Sequence, residues 1–316
     1  MPPAISDGSH SDVSPAVEVS NLTFSYPELD GSPAPGSEPV VQDMSMQLLP
    51  GQRCLLIGAN GAGKSTLLRV LAGRHMVPSG SVRVLGQSPF HDTQLTASGD
   101  MSYIGGSWDR DIAFAGYSVP LQGDFPAGQM IRNVPGIPAD RVERLMKVLD
   151  VNPEWRMHQV SDGQRRRVQL CLGLLRPFKV LLLDEITVDL DVLGRADLFE
   201  FLREECEDRN VTIIYATHIF DGLDDWPTHV MYLARGKLQA FQPVETFPQI
   251  REGDLLGLVC GWLSKEREFN KADGRLPDGT KAVAADQDLK LASWNNGWAG
   301  GRLASSIKHS SNAVLR

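Results

Sequence analysis

An α/β fold with a parallel central sheet is what this sequence predicts, and three observations predict it. The apolar run Cys54, Leu55, Leu56, Ile57 leads through a glycine-rich turn into a helix opening at Ser65, the strand–turn–helix start of an α/β unit. A second apolar run, Val180, Leu181, Leu182, Leu183, is too short for an ordinary helix and ends on Asp184 and Glu185, so it reads as a parallel strand buried on both faces. Between such runs the apolar residues recur at helical spacing, first at Val142, Leu145, Met146 and Leu149, then at Leu198, Phe199, Leu202 and Cys206.

In chain order, residues 1–15 are rich in Pro, Ser, Gly and Asp without an apolar signal core or an Arg-rich amphipathic pattern, and are expected to form a flexible tail. Alternating apolar residues over 17–26 predict an edge strand of an antiparallel pair, and Pro27 to Ser37 the loop to its neighbour. Met101, Ser102, Tyr103 and Ile104 continue the strands, residues 107–160 make a mainly helical section, and 211–216 form a further strand before His218. The main domain is expected over 16–250. Residues 251–316 read as a largely irregular extension, with a polar linker over 270–288 and Trp294 and Trp298 set among glycines and asparagines.

A net charge of −8 over 316 residues, with no basic tract, argues against a nucleic-acid-coating protein. Arg165, Arg166 and Arg167 read as a solvated helix face. The four cysteines, Cys54, Cys171, Cys206 and Cys260, lack metal-ligand spacing and imply a reducing, cytoplasmic setting with no disulfide framework. No apolar run reaches the ~18 residues needed to cross a bilayer. The most apolar stretch, 168–175, is interrupted by Gln169 and Gly173.

The turn Gly58-Ala59-Asn60-Gly61-Ala62-Gly63-Lys64-Ser65-Thr66 is a complete phosphate-binding loop. Its glycines let successive N–H groups face inward, Lys64 reaches the β and γ phosphates, and Ser65 offers a hydroxyl to Mg²⁺. A nucleoside triphosphate is therefore the expected ligand. Asp184 is placed to hold Mg²⁺ and Glu185 to deprotonate the attacking water.

About twenty residues before Asp184 lies Val160-Ser161-Asp162-Gly163-Gln164. Phosphate loop, this signature and the acidic strand, in that order, resemble the P-loop nucleotide-binding domain of ATP-binding-cassette (ABC) proteins. The resemblance implies that two such domains pack head to tail, with Ser161, Gly163 and Gln164 of one meeting the γ phosphate of ATP held by the other. It also implies that Tyr26 stacks on adenine, that Asp191, in Asp189-Leu190-Asp191, belongs to the loop that senses the opposite site, and that His218 contacts the γ phosphate. The predicted fold is then an ABC domain with an antiparallel β edge and a helical subdomain at about 107–160.

The sequence departs from the transporter pattern at three places. Gly106 stands where transporters carry a glutamine that links phosphate and metal to the membrane partner, with Gln122 a candidate substitute. Asp162 replaces a glycine of the signature, and Ile186 replaces the proline after the catalytic glutamate. Asp162 is expected either to restrain closure by repulsion, giving slow hydrolysis, or to turn away or bond to the helix start. With Ala216-Thr217-His218-Ile219 and the closing residues 311–316, these features resemble the non-intrinsic class I ABC proteins of plants and algae. They also resemble the fungal ABC protein associated with the carbon-catabolite-repression and mRNA-deadenylation complex.

The function this implies is a soluble Mg-ATP hydrolase working as a dimer and acting as an ATP-gated regulator of a protein partner. The alternatives are the ATP-binding subunit of a multi-chain transporter and a weakly hydrolysing scaffold. Partners are a second ABC subunit, identical or a close relative, and an unidentified protein. Trp294 and Trp298 are expected either to dock that protein or to fold back onto the ATPase domain, and no direct nucleic-acid contact is expected. The location is cytoplasmic, with nuclear or membrane-peripheral positions reached through partners.

Overall fold

The structure, a computed structural model, describes residues 13–27, 33, 37–105 and 125–274. Gly106, Gln122, Trp294, Trp298 and most of the expected N-terminal tail lie outside the described residues. Along the chain, β1 (Val17–Phe24) and β2 (Val41–Leu48) precede β3 (Arg53–Ile57) and α1 (Lys64–Leu71), and β4 (Val82–Val84), α2 (Thr93–Ala97) and β5 (Met101–Ile104) follow. The helices α3 (Ala127–Arg132), α4 (Ala139–Val148) and α5 (Asp162–Leu175) lead to β6 (Val180–Asp184). Then come α6 (Val192–Arg209), β7 (Thr212–Ala216), β8 (His229–Ala234), β9 (Lys237–Pro243), α7 (Pro248–Arg251) and α8 (Leu255–Ala272).

Strand order in the large sheet is β5-β6-β7-β3-β8-β9. The first five strands run parallel and β9 is antiparallel to β8. Every residue of β3, β6 and β7 is buried, which is why these segments read as continuous apolar runs with no alternation. A smaller antiparallel sheet, β2-β1-β4, supplies the predicted edge. There the buried Val17, Val19, Leu22 and Phe24 of β1 keep the one-sided pattern.

One face of the large sheet packs against α4, α5 and α6 through Leu145, Leu174, Phe201 and Leu202, with Trp226 fully buried among them. The other face packs against α1 and the small sheet through Leu22, Met44, Leu67 and Leu68. Helices and a second sheet thus cover both faces. The carboxyl ends of β3, β6 and β7 are left converging on one edge, where open parallel sheets bind ligands.

Within the segment expected to be irregular, residues 255–272 form α8. Asp254 caps it by accepting from the Gly257 amide at 2.8 Å. Leu255 and Val259 are buried, and the Trp262 ring stacks on Tyr232 of β8 at 4.7 Å and 15°. The next position on that face is Glu266, which is buried and accepts from the Tyr232 hydroxyl at 3.0 Å. A carboxylate ending the apolar stripe is what hid this helix from a reading by periodicity.

Burial pushes the Glu266 carboxyl above its ordinary 4.5, against the opposing pull of Tyr232 and Arg235. A carboxyl whose pKa is raised on folding is not penalised at pH below its unfolded value, and stability falls as pH rises through the folded value. Glu266→Gln keeps the acceptor for Tyr232 and removes the buried charge. It should therefore raise the melting temperature near neutral pH by about 2–4 °C, with the gain disappearing as the pH is taken below the ordinary carboxyl value. Melting curves of both proteins across that range measure it.

Candidate nucleotide-binding site

The chain leaves β3 at Ile57 and turns through residues 58–63 into α1. Two glycines of this turn are required by space. A Cβ on Gly58 would come within 2.5 Å of the Leu233 carbonyl oxygen, and Gly63 has φ 102° with the Val40 carbonyl 2.7 Å from where its Cβ would stand. No side chain caps α1, so its first amide groups are left for an anion. Lys64, 5% exposed, donates through Nζ to the carbonyls of Gly58 at 2.7 Å and Ala59 at 3.0 Å. Burial lowers its hold on the proton while Glu185 and Asp184 oppose that.

The next residue, Ser65, donates its hydroxyl to Asp184 Oδ1 at 3.0 Å, and the Tyr103 hydroxyl of β5 donates to Oδ2 at 3.3 Å. Burial raises the Asp184 carboxyl and the two hydroxyls pull it back. A hydroxyl beside a carboxylate is a hard-oxygen donor pair of the kind Mg²⁺ accepts when phosphates and water complete its shell. Among the described residues no group of three or more His, Cys, Asp or Glu could hold a metal by itself. The donor set therefore fits a nucleotide-borne Mg²⁺ and does not fit a resident metal centre.

At the end of β6, Glu185 takes a left-handed conformation, φ 52°, and its amide donates to the Ala216 carbonyl at 2.9 Å. His218, just past β7, brings Nε2 to 2.9 Å from Glu185 Oε1 and 3.3 Å from Lys64 Nζ. One ring nitrogen serves only one of them at a time: protonated it donates to the carboxylate, unprotonated it accepts from the ammonium. Burial and then Lys64 depress the His218 pKa below its ordinary value, opposed by Glu185.

Ser161 is the N-cap of α5. Its Oγ accepts from the Gln164 amide at 3.2 Å, and the Gln164 side chain accepts from the Ser161 amide at 3.0 Å, a reciprocal capping box. Gly163 lies on the same turn, and a Cβ there would be 3.5 Å from the Asp189 carbonyl oxygen. Asp162 turns outward and pairs with Arg165 at 2.7 Å. The helix start is thus capped by Ser161, and Asp162 faces a guanidinium. Asp191 caps α6 by accepting from the Gly194 amide at 2.8 Å, a bond that, with Arg167 at 3.2 Å, holds its carboxyl below the usual range. Tyr26 bonds through its hydroxyl to Thr66 Oγ1 at 3.0 Å and sets its ring edge-on to Phe24 and His75.

The three arginines after the signature do not form a solvated face. Arg165 pairs with Asp162 at the surface, Arg167 pairs with Asp150 at 2.7 Å and with Asp191, and Arg166 is buried. Each helix position faces a different neighbour, so three like residues in a row cannot share one environment. The structure also brings Tyr103 to the site, which sequence reasoning missed. Its only signal was strand adjacency, since β5 pairs with β6 so that Tyr103 lies opposite Leu182, two residues before Asp184.

A family model described as ABC transporter matches residues 41–188. The chain is 55% identical to ABC transporter I family member 20 of Arabidopsis thaliana, covering 95% of this chain and 96% of that one. CCR4-associated factor 16 of Saccharomyces cerevisiae is 41% identical, over 71% of this chain and 77% of its own. Among solved structures, a dimeric ATP-binding cassette in a post-hydrolysis state with ADP and Pi superposes with TM-score 0.58 at 18% identity, over 72% of this chain and 98% of that one. An ATP-binding subunit of an ABC transporter gives 0.60 at 20% identity, over 79% and 99%. At these identities the two structures speak for the fold.

Among the described residues the His218 ring bonds to Lys64 and Glu185 and to no backbone group of the loop. His218→Ala should therefore lower ATP turnover by ~100-fold while leaving nucleotide affinity within a few-fold, as read by phosphate release and by calorimetry. Equal losses in both would make the ring a structural part of the loop.

Proposed function

The chain belongs to the ABC family, in its class I branch, and is an ABC-type ATP hydrolase; from that premise we propose that it is an ATP-gated regulator of a protein assembly. In this reading two such domains close head to tail on two Mg·ATP, and hydrolysis times their separation. The observation that carries the reading is the convergence of Lys64, Ser65, Asp184, Glu185 and His218 at the ends of β3, β6 and β7, with the signature Ser161 on a different helix start.

The residues take these roles. The loop 58–66 and Lys64 cradle the phosphates, Tyr26 stacks on the base, and Ser65 and Asp184 hold Mg²⁺, which when bound offsets the charge developing on the phosphates. Glu185 takes the proton of the attacking water, and His218 orients it against the γ phosphate. Ser161, Gly163 and Gln164 present the capped start of α5 to the ATP of the opposite subunit, and Asp191 lies in the loop that reports on that site.

A regulator is favoured over a transporter subunit by Gly106 in place of the coupling glutamine. The yeast relative's name records association with CCR4, and a soluble assembly of that kind is the partner class proposed here. In this reading Trp294 and Trp298 dock it. The cytoplasm is the proposed site of action, with nuclear or membrane-peripheral positions reached through the partner.

Glu185→Gln removes the base and keeps the phosphate contacts, so with Mg·ATP it should elute from size exclusion as a lasting dimer, whereas Lys64→Ala should not. Two monomer peaks would overturn the closing model.

Ser161→Asp separates capping from phosphate contact. Aspartate caps a helix as well as serine does, so stability should change by less than ~0.5 kcal/mol. The new carboxylate would face the incoming phosphate, and ATP-dependent dimerisation of the Glu185→Gln protein should be lost on adding it. Retained dimerisation would show that Ser161 does not meet the phosphate.

A further inference from the structure

Arg166 is the least expected side chain near the site. It is 5% exposed, on the inner face of α5, and its hydrogen bonds go to neutral groups: Nη1 donates to the Gly105 carbonyl at 2.7 Å and to the side-chain oxygen of Gln169. Its Nη2 has no partner among the described residues. Burial weakens its hold on the proton, and the carboxylates of Asp189 and Asp184 are near enough to oppose this. A cation buried on neutral partners is disfavoured relative to a surface arginine, so the contacts it makes call for a reason beyond stability.

The carbonyl it grips belongs to the residue on which Tyr103 rests. A Cβ on Gly105 would lie 2.9 Å from the Tyr103 hydroxyl oxygen, so the Gly105 backbone abuts the same hydroxyl that donates to Asp184 Oδ2. The Arg74 guanidinium lies over the Tyr103 ring, 4.5 Å from its centre. Farther along the two elements, Ser102 Oγ donates to the Gly173 carbonyl at 3.2 Å. A Cβ on Gly173 would come within 2.7 Å of Ile104 Cδ1. Helix α5 and strand β5 are therefore clasped at two levels, with Arg166 at the level of the metal-site carboxylate.

We propose that Arg166 is a positioning residue for ATP hydrolysis, which through the Gly105 backbone and the Tyr103 hydroxyl fixes the Asp184 carboxylate for Mg²⁺ and ties it to α5, the helix whose start carries Ser161. The arrangement makes the metal carboxylate of one site and the signature offered to the other move as one body. It rests on the ATPase reading of the site. It adds to that reading a pair of residues, Arg166 and Tyr103, that touch neither phosphate nor metal.

The test is a double-mutant cycle with Arg166→Gln and Tyr103→Phe, read by calorimetry of ATP binding with and without Mg²⁺ and by phosphate release. Each single change should leave metal-free ATP affinity within a few-fold and cut the gain in affinity on adding Mg²⁺. Each should also lower kcat by ~10- to 100-fold with KM little changed, the effect of a small misplacement at a reacting centre. The double variant should be no worse than the more severe single one, because both act through one contact. Arg166→Lys, which keeps the charge and loses the fork, and Gly105→Ala, which crowds the hydroxyl, approach the same contact if Arg166→Gln does not fold, and should reproduce the loss of the Mg²⁺ increment. A wild-type Mg²⁺ increment in the Arg166 variants, or losses that multiply in the double variant, would overturn the proposal. Failure of the unmodified chain to bind ATP at all would instead remove the ATPase reading beneath it.

Discussion

A buried ammonium ion at the meeting point of three strands organises this molecule. Lys64 is held by the carbonyls of Gly58 and Ala59 and lies against His218, and a cation in that position needs its donors satisfied before any ligand arrives. The loop must curl tightly enough to offer those carbonyls, which brings its backbone hard against two other segments. Leu233 of β8 crowds Gly58, and Val40, just ahead of β2, crowds Gly63. Gly236, at the turn after β8, completes the enclosure by donating to the Ala62 carbonyl at 3.2 Å and accepting from the Gln42 amide at 2.8 Å. The small antiparallel sheet is thus docked to the large one at the phosphate loop itself, and both sheets set the loop's shape.

What the sequence made legible was whatever is encoded within a few consecutive residues. The loop 58–66, the strand ending in Asp184 and Glu185, and the capping pattern from Ser161 to Gln164 each carry their structural meaning locally, as strand, turn or helix start. The continuous burial of β3, β6 and β7 follows from runs too short and too apolar for another role. What stayed hidden depends on which element lies next to which. Tyr103 reaches Asp184 only because β5 pairs with β6; Arg166 turns inward while Arg165 and Arg167 find acids; and α8 docks through a stripe that a carboxylate ends. Polar residues in apolar surroundings are where pattern reading fails, because pattern treats polarity as exposure.

Charge near the signature is arranged to be neutral before closure. Asp162 with Arg165, and Arg167 with Asp150 and Asp191, form pairs of which one member is well exposed. Such pairs add little to stability, yet they offset the field that a bare Asp162 would project toward an approaching phosphate. The capping box matters in a second way. Because Ser161 Oγ accepts from the Gln164 amide, its own hydroxyl proton is left to donate. The serine therefore offers a proton outward from a fixed position, beside helix-start amides that also favour an anion.

The His218 ring links the state of the loop to the state of the base. Without a phosphate, Nε2 lies between an ammonium and a carboxylate and can satisfy one of them. Lys64 has the carbonyls of Gly58 and Ala59 as further acceptors, whereas among the described residues the Glu185 side chain pairs with the ring alone. A phosphate drawing the ammonium toward itself would withdraw the competing donor from Nε2 and lessen the repulsion that keeps the ring neutral. The ring nitrogen then belongs to Glu185 and to whatever lies beside it on the phosphate side. In the proposed mechanism Glu185 would thereby acquire a defined orientation when the loop is filled, which would tie activation of water to occupancy of the site through electrostatics at a single nitrogen atom.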